Sequence, residues 1–149
     1  GILGDTVPQE LHAKKLVHRN NKNSELTVYG YTPMMVSVQC VQQTMDHCNH
    51  ACVQYVLKDR YQKEFRGVCS CEFCYNTIYN TLPTSLLKEK EKAEKLGVKA
   101  YRLSFTIETQ QETEKIVRAF VDVYLRGQKP DGQMQTEETT KGHFQRGVE

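Results

Sequence analysis

With 149 residues, 38% of them hydrophobic and 26% charged, the chain has enough apolar material for one globular domain with its own core. A formal net charge of +2 is too small to indicate a nucleic-acid or acidic-membrane partner by itself. No apolar run approaches the roughly 20 residues that cross a bilayer, and Gly1–Asp5 lacks the charged and apolar regions of a secretory signal, so a cytoplasmic, reducing setting is expected.

In chain order, Pro8 can open a short N-terminal helix with Leu11, Leu16 and Val17 on its apolar side, broken by the polar run from Asn20 to Ser24. Glu25 to Tyr29 reads as a strand ended by Gly30, and Met34 to Val38 as a second apolar run. Gln54 to Lys58 and Glu64 to Val68 flank the polar turn Asp59-Arg60-Tyr61-Gln62, which predicts a β-hairpin. Thr77 to Tyr79 adds a short strand.

From Thr84 the apolar period becomes helical. Thr84 is the expected cap of a helix that turns Leu86, Leu87, Ala93 and Leu96 inward and stops at Gly97. Lys99 to Phe105 alternates as a strand. Thr109 and Glu112 then have capping-box spacing ahead of a helix whose face is Ile116, Val117, Phe120, Val121 and Tyr124, closed by Gly127. Helix, strand, helix in this order predicts an α/β fold with a parallel sheet. The last twenty residues are polar and irregular, and the whole of 1–149 reads as a single domain.

All six cysteines lie between Cys40 and Cys74, within a cysteine-rich segment spanning 40–80. Cys48 and Cys52 stand four apart, and Cys71-Glu72-Phe73-Cys74 is a CxxC preceded by Cys69. Pairs at such spacing can point two sulfurs at one metal edge. Zinc takes four such ligands in a tetrahedron, with His47 or His50 as possible substitutes. An iron–sulfur cluster takes four thiolates, drawn from separate places in the chain. An even cysteine count also suits disulfides, although a reducing compartment argues against them. For Cys69, in a strand-like run, a small buried hydrophobe is the alternative reading.

Four ordered stretches carry a family resemblance. They are Leu26-Thr-Val-Tyr-Gly-Tyr-Thr-Pro-Met-Met-Val-Ser-Val-Gln-Cys40, Leu57-Lys-Asp-Arg60, Cys74-Tyr-Asn-Thr-Ile-Tyr-Asn80 with Pro83 after it, and Thr140-Lys-Gly-His-Phe-Gln-Arg-Gly147. Together with Arg102-Leu-Ser-Phe-Thr106 they resemble peptidase family U32, the collagenase-like proteases. The resemblance implies the C-terminal part of a TIM-type α/β barrel, carrying a cysteine-rich β-hairpin region. A missing N-terminal half of the same domain, or a second copy, is then the implied partner.

Members of the family are named as proteases, and related branches take part in hydroxylation of RNA bases and of quinones. An RNA, peptide or small-molecule substrate follows from that likeness, and no membrane. Those branches hold a four-iron four-sulfur cluster on four cysteines. By this resemblance Cys40 matches the first ligand, and Cys48 and Cys52 match a pair. The fourth position falls near Ser85, so Cys71 or Cys74 would have to replace it. The expected ligands are therefore Cys40, Cys48, Cys71 and Cys74, with Cys52 competing and zinc as the alternative metal.

Other candidates are sparser. Hydrolysis needs an activated nucleophile or a metal-held water, and the sequence has no HExxH or GxSxG. Cys40 with His143 is the nucleophile–base pair it can offer. Asp59-Arg60 reads as an ion pair of the hairpin. Lys141, His143 and Arg146 around Phe144 form a small basic group able to meet phosphate and stack on a base, or simply a solvated loop.

Overall fold

The structure, a computed structural model, describes residues 23–45, 48–130 and Thr139. The expected N-terminal helix, His47, the polar C-terminal segment and the basic group around Phe144 lie outside the described residues. The chain divides into two compact units, Gly1–Gly30 with Thr84–Glu149, and Tyr31–Pro83. The expected mixture of helices and strands is present. The described residues form two small open sheets and no closed barrel.

In the first unit, β1 (Glu25–Gly30) is the central strand of three. It pairs in parallel with β7 (Ala100–Ser104) and antiparallel with the two-residue β6 (Thr84–Ser85). Val28 and Tyr29 are both buried because each faces covered surface, as expected of a central strand. Thr84 caps no helix. It is drawn into β6 opposite Gly30, and Leu86 N–H donates to the Val28 carbonyl at 2.9 Å, so the chain stays extended there. A 3-10 turn at Leu87–Glu89 follows, and only Lys90–Lys95 is α-helical. Leu86, Leu87, Ala93 and Leu96 are nonetheless all buried, and Gly97 takes the left-handed φ of 68° that ends the helix.

The second helix of this unit, Gln110–Phe120, begins with the expected capping box. Thr109 Oγ1 accepts from Glu112 N–H, and a Glu112 carboxylate oxygen accepts from Thr109 N–H at 2.6 Å. The helix runs on into a π-helical turn at Val121–Leu125. The buried Ala119, Phe120 and Val123 keep the three- and four-residue helical spacing, and Val117 is left exposed. Phe120 and Tyr124 from this segment meet Tyr29, Phe105 and Tyr101 in a run of tilted and edge-on rings, 4.9–6.1 Å between centroids.

In the second unit, four antiparallel strands lie in the order β2 (Pro33–Ser37), β5 (Tyr75–Tyr79), β4 (Glu64–Ser70) and β3 (Val53–Lys58). A short helix, α1 (Val41–Met45), follows β2. The β3–β4 hairpin is where the sequence places it, with Lys58 opposite Glu64 and an ion pair of 3.0 Å between them. Its turn is held differently from expectation. Asp59 Oδ1 accepts from Tyr61 N–H at 2.7 Å and from Lys63 N–H at 2.9 Å, while the Arg60 guanidinium lies over the Tyr61 ring. Asp59 is thus a turn acceptor and not the partner of Arg60.

Two residues make clear demands on these packings. Tyr124 hydroxyl donates to the Leu86 carbonyl at 2.8 Å, and burial first, then nearby acidic groups, push its pKa above the usual phenol value. A phenol that keeps its proton more tightly when folded gives full stability below about pH 10, and that stability falls as pH rises further. Tyr124→Phe is expected to cost about 1 kcal/mol at neutral pH and to flatten the alkaline fall, as read from thermal melts between pH 7 and 11. Gly67 lies directly opposite Tyr55, and a methyl group there would fall inside the Tyr55 ring. Gly67→Ala is expected to lower stability by about 1–3 kcal/mol in denaturant unfolding.

Candidate metal centre

The sheet of the Tyr31–Pro83 unit decides where the sulfurs go. Cys69 is in β4, and Cys71 follows it two residues later, so the strand period puts both on one face. Cys40 is delivered to the same place from the turn before α1. Asn76 of β5 sits opposite both Cys69 and Ser37, and its Nδ2 donates to the Gln39 carbonyl, which pegs the Gln39–Cys40 corner to the sheet.

The outcome is a sulfur core. Cys40, Cys69 and Cys71 are buried together, with Cys48 and Tyr55 packed against them. Cys40 Sγ and Cys69 Sγ are 3.9 Å apart, and Cys69 Sγ and Cys71 Sγ 3.5 Å. Cys48 packs at the edge of this group with its thiol toward Gln42 Oε1 at 3.6 Å. All six cysteines are free thiols.

The four thiols are not equivalent. The backbone N–H of Gln43, at the start of α1, holds the Cys40 thiol below the ordinary range against the opposing effect of burial, with help from Cys69, Gln42 and Cys48. Cys69 is 0% exposed, and burial pushes its pKa up to about 12, reinforced by the neighbouring Cys71 and Cys40 sulfurs. Burial also raises Cys71. The three buried sulfurs are thus pulled apart, Cys40 toward lower and Cys69 and Cys71 toward higher pKa. Like charges this close cannot all ionise without a cation among them.

Among the described residues no group of three or more histidine, cysteine, aspartate or glutamate side chains stands in a ready coordination geometry. The reason is visible in the partners. Cys71 thiol donates to the Ala51 carbonyl at 2.8 Å, and both Cys48 and Cys71 approach Gln42 Oε1 at 3.6 Å. These weak thiol bonds hold two of the four side chains turned toward protein acceptors.

The structure brings together only part of the expected ligand set. Cys74 is exposed and takes a left-handed φ of 50° at the end of the β4–β5 turn, with its thiol on the Cys71 carbonyl. The CxxC therefore separates its sulfurs instead of joining them. Cys52 is exposed as well, one residue before Val53, which pairs with Cys69; alternation puts Cys52 on the opposite face. Cys69, outside the expected ligand set, is central to the sulfur core. Its signal was the CxC spacing within a strand, where the period of two aligns both sulfurs. His50 is exposed, and Ser85 belongs to β6, where its Oγ accepts from Leu87 N–H.

On the same unit an open hollow of about 230 Å³ is lined by Met35, Val41, Leu57 and Ile78, with Gln39, Asn76 and Tyr55 among its other walls. Tyr55 is shared between this hollow and the sulfur core. No family model, curated protein or solved structure matches the chain.

Asn76 is 1% exposed, so its loss should be felt at the sulfurs. Asn76→Ala is expected to cost about 2 kcal/mol through the lost bond and the space left behind. It should also speed labelling of Cys40 by a thiol reagent, followed by mass spectrometry. Unchanged labelling would mean that Asn76 does not peg the Cys40 corner.

Proposed function

We propose that the chain is a peptidase-U32-type protein whose Tyr31–Pro83 unit holds a metal centre on Cys40, Cys48, Cys69 and Cys71. The observation that carries this reading is the contact of buried sulfurs at 3.5 and 3.9 Å. Around one tetrahedral ion with metal–sulfur bonds of about 2.3 Å, neighbouring thiolates stand roughly 3.8 Å apart. An all-sulfur donor set selects zinc or iron over oxygen-seeking cations. A four-iron cluster spreads its four thiolates over the corners of a cube, so contact spacing favours a single ion over the cluster that the family resemblance suggests.

When bound, an ion held by four thiolates has no open position and supplies folding free energy. That role suits a unit whose buried side chains, among the described residues, are three cysteines, Asn76 and Pro83. Such a closed ion would staple the unit and carry out no chemistry itself. The modification of an RNA base or a small molecule that the resemblance implies is proposed for the chain separately, with the hollow beside Tyr55 as the place for the substrate. The barrel expected from the same resemblance belongs to this proposal too. Peptide hydrolysis by Cys40 is less well supported. Its thiolate is favoured, but the residue is 6% exposed and its sulfur faces other thiols, out of reach of a peptide carbonyl.

Metal analysis of protein purified without oxygen tests the reading. About one zinc or iron per chain is expected. Cys69→Ser and Cys71→Ser should lose it, whereas Cys52→Ser and Cys74→Ser should keep it. Retention in Cys69→Ser with loss in Cys74→Ser would overturn the ligand set, and four irons with inorganic sulfide would replace the ion by a cluster. Chelation should lower the melting temperature. Affinity should weaken as pH falls, because each ligand thiol must lose its proton to bind.

A further inference from the structure

The sulfur core carries a second chemistry that needs no ion. Free thiols in contact are two electrons short of a disulfide, and geometry selects the pair that can form one.

Cys40 and Cys69 are that pair. They come from separate elements, Cys40 from the corner before α1 and Cys69 from β4, 29 residues further on. Their sulfurs, 3.9 Å apart, must close by roughly 2 Å to reach bonding distance, a movement that rotation of two side chains can supply. Cys69 and Cys71 are nearer, at 3.5 Å, but they are neighbours on one stretch of chain. Two residues of extended backbone set their Cα atoms roughly 6.6 Å apart, at the outer limit for a disulfide. The Cys71 thiol is also engaged with the Ala51 carbonyl at 2.8 Å, and the Cys48 thiol with Gln42 Oε1 at 3.6 Å. We infer that Cys40 and Cys69 form a reversible disulfide when the chain meets a hydroperoxide, Cys40 reacting first and Cys69 resolving it.

The order follows from access. Cys40 is 6% exposed and Cys69 0%, so a small oxidant arriving from solvent meets Cys40 with Cys69 behind it. The Cys40 thiolate bonds to one peroxide oxygen and the O–O bond breaks, leaving Cys40 as a sulfenic acid. The departing oxygen takes up the proton that Cys40 gave to solvent. The Cys69 sulfur then loses its proton and bonds to Cys40 Sγ, the S–O bond breaks, and the hydroxide leaves with that proton as water. Two thiols are oxidised by two electrons, and the peroxide is reduced by two.

The bond would tie the corner before α1 to β4. Gln39 and Val41, on either side of Cys40, both line the hollow. Oxidation would therefore fix a wall that the reduced chain pegs through the Asn76 Nδ2 bond to the Gln39 carbonyl.

The reduced full chain, treated with hydrogen peroxide and alkylated in denaturant without reductant, tests the inference by peptide mapping. Two of the six thiols should be lost, linked as Cys40 to Cys69, and dithiothreitol should restore both. The Cys52→Ser, Cys74→Ser double variant should form the same bond. In Cys69→Ser, Cys40 should stop at the sulfenic acid, captured by a cyclic 1,3-dione. The oxidised parent should melt about 5 °C or more above the reduced chain, because the closed loop restricts the unfolded state.

Linkage of Cys69 to Cys71, or of Cys40 to Cys48 or Cys71, would overturn the pairing. Oxidation confined to the exposed Cys52 and Cys74 would overturn the site. A linked chain that melts lower than the reduced one would mean that the fold does not accommodate the bond. Should Cys69→Ser fail to fold, the linkage map of the parent decides alone. The inference rests on the contact of the sulfurs and not on the proposed ion, so either reading can fall without the other.

Discussion

The burial of sulfur at the centre of the Tyr31–Pro83 unit is the constraint on which the rest depends. A unit of this size has little apolar surface to spare, and much of what it has is outside. Met34, Met35, Val36, Val38, Val56, Leu57, Tyr61 and Phe73 are all exposed large hydrophobics of this unit. Its interior is instead Cys40, Cys69 and Cys71, closed by Asn76 and the Tyr55 ring. Small units with thin cores are usually stapled by disulfides or metals. Here the disulfides are absent and the thiols lie in contact.

The arrangement follows from strand geometry more than from the cysteine motifs themselves. A CxxC grips a metal when a turn or helix start points both sulfurs one way. In this chain the β4–β5 turn runs through it, and the left-handed backbone at Cys74 sends the second sulfur out. Cys69 and Cys71 succeed because a strand repeats every two residues. Sequence spacing made the concentration of cysteines between Cys40 and Cys74 legible. Which of their sulfurs meet, Cys69 with Cys40 and Cys71, required the register, and register depends on the pairing of Val53 with Cys69 and of Cys69 with Asn76. Such long-range pairing leaves no local signature.

The other unit was more legible because its signals are local. The capping box at Thr109 and Glu112, the left-handed glycines at Gly97 and Gly127, and the buried Leu86, Leu87, Ala93 and Leu96 are all short-range features. Where local rules failed, a tertiary demand had won. Thr84 is a good helix cap by type, but β1 needed a partner at Gly30 and took it. Val117 belongs to the expected apolar face, yet the core takes the neighbouring helical phase of Ala119, Phe120 and Val123.

The electrostatics of the sulfur core lead to a last consequence. A core of ordinary hydrophobes is indifferent to pH and to metal. This one is not: backbone N–H groups lower Cys40 while burial raises Cys69. Under the proposed metal centre, an added cation would change the charge that the group can hold. Metal content, thiol protonation and the packing of the unit would then be linked through one group of side chains, and a substitution at any of them is expected to move all three.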